Sequence, residues 1–265
     1  MAVDEAVLLG YTLESSSEPP TLRLYGWDPP ALSLGRGQES SSSHDPVYLR
    51  AEAIDLVRRP TGGRAVLHEW ERTYAVIGSL RHPPFDGGVH DVYRRIADAL
   101  LVALRRVGLE PATAARPRGG VSPRDPGMGP ACFEAPSVHE IVVGGRKLVG
   151  SAQLRRRGAF LQHGSILLDS SAERLAGSIG APTSGRSFTS LRELLGRRQD
   201  QRELDRALTA AFAERFGTDL EPGELTDTEA QRAARLRCWK YDSAAWTLDG
   251  RPGERERRWG PDLTR

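Results

Sequence analysis

Three segments hold residue types that can do chemistry. The first is Arg58-Arg59-Pro60-Thr61-Gly62-Gly63-Arg64-Ala65-Val66-Leu67-His68. Adjacent glycines let backbone N–H groups approach a ligand and form an anion-binding concavity, and the same local pattern also suits a tight hairpin. No Gly-Lys-Ser/Thr follows at the spacing of a Walker A loop. The second is Gly144-Gly145-Arg146-Lys147-Leu148-Val149-Gly150-Ser151-Ala152-Gln153, where Lys147 follows a glycine turn. Lysines usually sit in water, but Gly150, Ser151 and Ala152 leave room beside a strand for a ligand. The third is Ala131-Cys132-Phe133. An inert buried thiol is the commoner situation for cysteine, yet Cys132 stands in a stretch with almost no core-forming periodicity. Cys238, beside Trp239 in a helical stretch, reads as core or helix surface. His68 and His163 complete the candidates; a lone histidine is more often structural than a substrate contact.

The elements that must carry these residues follow from periodicity and breakers. Asp4 and Glu5 stand in the first turn of a short helix, where the helix dipole favours acids. Thr21 to Trp27 and Ala31 to Leu34 read as strands around an Asp28-Pro29-Pro30 turn, and the Ser- and Gly-rich stretch Gly35 to Pro46 as a mobile loop. Ile54 to Arg59, Arg64 to Glu69 and Glu71 to Ile77 read as strands. Val92, Ile96, Leu100, Leu104 and Val107 share one face of a helix over Val89 to Val107. Pro111 to Pro136 has many prolines and glycines and reads as a long loop, of the kind that is usually functional or disordered. Val138 to Val143, Lys147 to Gln153 and Ala159 to Leu168 alternate as antiparallel strands. Helices are expected near Ser190 to Arg197, over Gln201 to Phe216 and over Thr228 to Trp246.

With 265 residues and 29.0 kDa, the chain can bury a sizeable core, and one main domain is expected over residues 1–248. Residues 111–136 would be its loop carrying Cys132, and residues 249–265 a flexible tail. No apolar run approaches the roughly 20 residues needed to span a bilayer. The acids of the first residues do not suit a signal peptide. Cys132 and Cys238 lack a close CxxC or HxxxH partner, which argues against a disulfide framework or a zinc site and fits a reducing cytosol. A net charge of +2 spread over many arginines does not demand nucleic acid; most of these are solvated faces, and a docking patch for an acidic carrier protein is the sharper reading.

Together and in order, these segments resemble one family. Its carriers are Met1-Ala2-Val3-Asp4-Glu5-Ala6, Leu22 to Trp27, Pro30 to Gly35, Arg58 to His68, Ala131-Cys132-Phe133, Gly145 to Gln153, Leu161-Gln162-His163-Gly164-Ser165, and Lys240-Tyr241 with Trp246. The family is the lipoate–biotin ligase and acyltransferase superfamily, within it the octanoyltransferases of the LipM type. The resemblance implies an α+β fold with a mixed, largely antiparallel sheet flanked by helices and an acyl-binding tunnel. It implies that Arg59, Thr61, Gly62, Gly63 and Lys147 line that tunnel, with His68, Gly150, Ser151, Ala152, His163 and Gly164 as further acyl contacts. It also implies that Cys132 is the acyl-carrying nucleophile and that Lys147 lowers the thiol's pKa. Physically this is coherent, since an ammonium favours the thiolate, and Lys147 could equally stabilise charge on the acyl carbonyl. Family members carry a further strand ahead of the helix that begins here at Met1, which implies a start further upstream or a sheet lacking that strand.

The implied reaction is a two-step exchange. The thiolate takes the octanoyl group from octanoyl-acyl carrier protein, and a lysine of a lipoyl-type domain then takes it from the enzyme. The acceptor would be glycine-cleavage H protein or a 2-oxoacid dehydrogenase subunit. No ATP, cofactor, metal, nucleic acid or membrane is called for, and a cytoplasmic monomer is expected. The rivals are an ATP-dependent lipoate–protein ligase, an amidotransferase between lipoyl proteins, and a non-catalytic acyl or carrier-protein binding module. Biotin ligase is weaker, because its Gly-Arg-Gly-Arg-x-Gly-Arg-x-Trp loop is absent.

Overall fold

The computed structural model describes residues 1–13, 19–81, 83–114, 140–183, 185 and 187–251. Most of the expected 111–136 loop, including Cys132, and most of the expected 249–265 tail lie outside the described residues.

The first half runs α1 (Ala2–Leu13), β1 (Thr21–Tyr25), β2 (Ala31–Leu34), α2 (Pro46–Ala51), β3 (Asp55–Arg58), β4 (Val66–His68), β5 (Glu71–Ser79) and α3 (Val89–Arg106). The second runs β6 (Ala112–Thr113), β7 (Ile141–Val143), β8 (Arg146–Arg156), β9 (Ala159–Leu167), α4 (Ala172–Ile179), α5 (Leu191–Leu195) and α6 (Gln201–Phe216). It closes with α7 (Asp227–Leu236), a π-helical turn (Arg237–Tyr241) and α8 (Ala244–Asp249). A six-stranded antiparallel sheet has the order β1-β5-β9-β8-β7-β6, and a small mixed sheet has the order β3-β2-β4. The architecture is the mixed, largely antiparallel α+β arrangement expected.

Alternation along the strands sends neighbouring residues to opposite faces of the large sheet. Val76, Val149 and Ile166 join the core built with Val92, Ile96, Leu100 and Leu104 of α3 and Leu204, Leu208 and Phe212 of α6. Each such fully buried aliphatic contributes roughly 1.5–3 kcal/mol. Ala75, Ile77 and Leu161 pack instead on Val7, Leu8 and Tyr11 of α1. None of the described helices is long and apolar enough to cross a membrane.

Three expectations change. Residues 59–65 do not close a hairpin, because β3 and β4 lie on opposite sides of β2, parallel and antiparallel to it. The stretch Gly35 to Pro46 is a loop as expected, but one tied into the fold: Ser40 and Ser43 are buried, Arg36 N donates to Thr61 O at 2.9 Å, and Asp45 caps α2. The helix expected over Thr228 to Trp246 is interrupted by the wide turn at Arg237–Tyr241. That turn carries Lys240 inward, where its Nζ lies 2.8 and 2.7 Å from the Glu5 carboxylate and 4.0 Å above the Trp246 ring, while Tyr241 donates to Glu5 at 2.5 Å. The C-terminal helices are thereby fixed to α1.

Candidate active site

Arg58 and Arg59, adjacent in sequence, part at the end of β3. Arg58 turns to the C-terminal helices and donates to the carbonyls of Trp246, Thr247 and Leu248, and to those of Gly35 and Gln38. The Trp246 indole returns a bond to Arg58 O at 2.9 Å. It is a brace. Arg59 folds back over its own loop, donating to Ser33 O and Oγ at 3.0 Å, to Gly62 O and to Arg64 O. This fixes the 59–65 segment as one side of a cleft. The close approach needs glycine: a Cβ on Gly35 would stand 1.9 Å from Gly63 O, and Gly63 itself has φ +97°.

The cleft, about 440 Å³ of empty volume, lies between that loop and the large sheet. Arg59, Gly62, Gly63 and His68 line one side. Gly150, Ser151 and Ala152 of β8, with His163 and Gly164 of β9, line the other. Cross-strand register explains the second group, since Gly150 faces Ser165, Ser151 faces Gly164 and Ala152 faces His163. Gly164 is required there: a Cβ would meet Tyr74 Cε1 at 2.5 Å and Gly150 O at 2.6 Å. The absent side chain lets the Tyr74 hydroxyl reach over to Ser151 Oγ at 2.6 Å. Burial pushes the Tyr74 phenol up, so it stays neutral as this bond requires. Thr61 is buried beside the cleft and bonds His163 Nε2 at 2.7 Å.

A polar network underlies the wall. Arg59 donates to Ser33 Oγ, which lies 2.8 Å from His68 Nε2; His68 Nδ1 lies 2.7 Å from Glu71 Oε1. Arginine can only donate, and the contacts link Arg59, Ser33, His68 and Glu71 in one continuous hydrogen-bonded chain. The Glu71 carboxylate also accepts from Thr73 and Ser165, and the Trp27 ring stacks on His68 at 4.2 Å and donates to Thr73 at 2.8 Å. Both His68 nitrogens are thus engaged, and His68 offers the cleft a fixed wall. Met1, Val66, Thr73 and Ser165 also line the cleft and were not among the sequence candidates. Two of them carried a signal: Ser165 lies two residues after His163 and Thr73 two after Glu71, on shared strand faces.

Lys147 is completely buried at the start of β8 and pairs with Glu140 Oε1 at 2.5 Å. It does not line the cleft. A buried ammonium needs a counter-charge, and Glu140 supplies one. The Lys147 backbone is held too, its N–H donating to Ser187 O and its carbonyl accepting from Thr189 N, both at 2.9 Å. Ala114 N donates to Glu140 O at 2.7 Å, so the two chain ends that flank residues 115–139 meet at this lysine. Cys132 falls within 115–139 and outside the described residues. Cys238 is an exposed free thiol, on the surface side of the earlier alternative.

The fold and this cleft define a catalytic domain of the lipoyl-ligase kind, and residues 1–213 match the lipoyl protein ligase A/B catalytic domain family, to which the chain belongs. Within it, the chain is 44% identical to a protein of Kyrpidia tusciae named Octanoyltransferase LipM, over 93% of this chain and 92% of the relative. A Bacillus subtilis protein of the same name is 37% identical over 93% and 92%. A solved lipoate-protein ligase A bound with ATP has the same fold, with a TM-score of 0.77 and 24% identity over 93% of this chain and 92% of that one. So has a bipartite lipoate protein ligase of Thermoplasma acidophilum, solved in a study of that ligase and its E2 lipoyl domain, at TM-score 0.74 and 22% identity over 96% and 92%.

Proposed function

We propose that this protein is an octanoyltransferase of protein lipoylation, passing an octanoyl group from octanoyl-acyl carrier protein through a thioester on Cys132 to a lysine of a lipoyl-type domain. The observation that carries the reading is the convergence of three distant segments, 59–68, 150–152 and 163–165, on one cleft. The LipM relatives support the acyl group, and the lipoyl domain paired with the Thermoplasma ligase supports the kind of acceptor. Residues 1–248 would form the catalytic unit, acting in the cytoplasm as a monomer, with glycine-cleavage H protein or a 2-oxoacid dehydrogenase subunit as acceptor.

The chemistry asks little beyond the chain. Attack of a Cys132 thiolate on the donor thioester exchanges one C–S bond for another, and attack of the acceptor amine on the enzyme thioester runs downhill to an amide. Lys147 would favour the thiolate or bind the developing oxyanion. Eight Cα–Cα steps separate Cys132 from Glu140, which at full extension reach about 29 Å, ample to bring the thiol to Lys147. Arg59 and the Gly62-Gly63 backbone would hold the acyl end of the substrate.

The test is intact mass after mixing the protein with octanoyl-acyl carrier protein without ATP. An octanoyl adduct, removed by hydroxylamine and missing from Cys132→Ala, is expected. Absence of the adduct, with ATP-dependent labelling of a lipoyl domain by free octanoate, would make the protein a ligase.

A further inference from the structure

Building on the acyl-transfer reading, we propose that Asp4, His163 and Thr61 form a proton relay in which His163 is the base for the acceptor amine. The three residues come from α1, β9 and the loop after β3. Thr61 Oγ1 lies 2.7 Å from His163 Nε2, and Asp4 Oδ2 lies 3.6 Å from His163 Nδ1. Nδ1 is buried and has no hydrogen-bonded partner, and a shift of a few tenths of an ångström would bond it to Asp4. Asp4 is fully buried and held from behind by Arg23 and by the Tyr25 hydroxyl at 2.7 Å. A carboxylate on the Nδ1 side favours the Nδ1–H tautomer, which leaves the Nε2 lone pair to accept from the Thr61 hydroxyl. Hydroxyl, imidazole and carboxylate then stand in the donor order of a general-base triad.

The charges facing His163 fit that role. Burial is the largest influence on it and pushes its pKa down; Asp4 opposes this, while Arg59 and the Met1 amino group add to it. The imidazole is therefore a free base at neutral pH. Burial also disfavours the Asp4 anion, but the amino terminus, His163 and Arg23 outweigh it and hold Asp4 ionised. The second cleft histidine differs, because both its nitrogens are spent on Ser33 and Glu71.

The acceptor lysine first loses one proton to solvent. Its nitrogen lone pair then forms the C–N bond to the thioester carbonyl carbon, and the carbonyl π pair moves to oxygen. A second amine proton passes to Thr61 Oγ1 as the Thr61 proton passes to His163 Nε2, leaving an imidazolium opposite Asp4. The oxygen pair returns, the C–S bond breaks, and the departing thiolate is reprotonated by the imidazolium.

Octanoyl-enzyme freed of donor is mixed with a lipoyl domain, and the rate of lysine octanoylation is followed by mass across the histidine range, about pH 5 to 8. The wild-type rate should rise through an inflection below the ordinary histidine value of about 6.5. His163→Gln and Thr61→Val should slow transfer about 10²-fold or more and abolish the inflection, and Thr61→Ser should restore both. If His163→Gln does not fold, the Thr61 pair carries the test. A His163→Gln or Thr61→Val enzyme that keeps the wild-type rate and inflection would overturn the relay alone. A wild-type protein that forms no adduct would overturn the acyl-transfer reading and the relay with it.

Discussion

Lys147 and Lys240 are the only lysines among 37 basic residues, and both are buried against a glutamate, yet their surroundings differ. Lys240 is saturated by structure: both Glu5 oxygens, the Trp246 face and the neighbouring Tyr241 hold the C-terminal helices on α1. Lys147 pairs with Glu140 at 2.5 Å and sits where the chain enters and leaves residues 115–139, on the strand that also supplies Gly150, Ser151 and Ala152 to the cleft. Burial of an ion pair therefore does not mark a chemical site. What marks it is the neighbouring chain that the ion pair leaves within reach. A buried pair that locks two helices is a structural device, and one placed beside the segment of the proposed nucleophile would turn its charge on the proposed reaction.

The largest effect that could break this contrast is on activity. Lys147→Met should lower octanoyl transfer by about 10²–10³-fold, the scale of losing one preorganised charged donor, in a protein that still melts cooperatively. Transfer at the wild-type rate would reduce Lys147 to a structural partner of Glu140. Next in size, Lys240→Met should cost up to about 3–5 kcal/mol in urea unfolding, because the buried Glu5 loses its nearest counter-charge and keeps Arg156 at 3.7 Å, while the rate per folded molecule stays near that of the wild type. An unchanged midpoint would erase the distinction from the other side. The smallest effect sharpens the part played by α1, whose Asp4 faces His163 while Glu5 faces Lys240. His163 has a lowered folded pKa, so below about pH 6.5 the unfolded chain binds a proton that the folded chain refuses. Stability should then decline as pH falls through that value, with a slope of up to about 1.4 kcal/mol per pH unit, and His163→Gln should flatten it. Asp4, lowered in the fold, acts in a separate window: its contribution is present above about pH 3.9 and is lost as pH falls further.

Much of the cleft was legible because its residues are out of character for their elements. Paired glycines between strands and a small-residue run in β8 stood out by themselves, His163 and Gly164 of β9 came through the family resemblance, and each lines the cleft. The helix over Gln201–Phe216 came out at its exact bounds, since its periodicity is uninterrupted. What was not legible is what depends on pairing across the chain. Nothing local ties Asp4 to His163, or Ser33 to His68 and Glu71. The parallel pairing of β3 with β2 requires a crossover through α2, whose six residues hold too little periodicity to announce a helix. The turn at Arg237–Tyr241 answers to Glu5, more than two hundred residues away in sequence.

The scarcity and burial of lysine have one further consequence. An enzyme that carries an acyl group bound for ε-amines is itself a potential acceptor, and so is every other copy of it. Here the surface side-chain cations are guanidiniums, which stay protonated and are poor nucleophiles, and the chain's only two ε-amines are shut beneath the surface. While folded, the protein presents neither lysine at its surface to compete with the acceptor lysine of the proposed reaction.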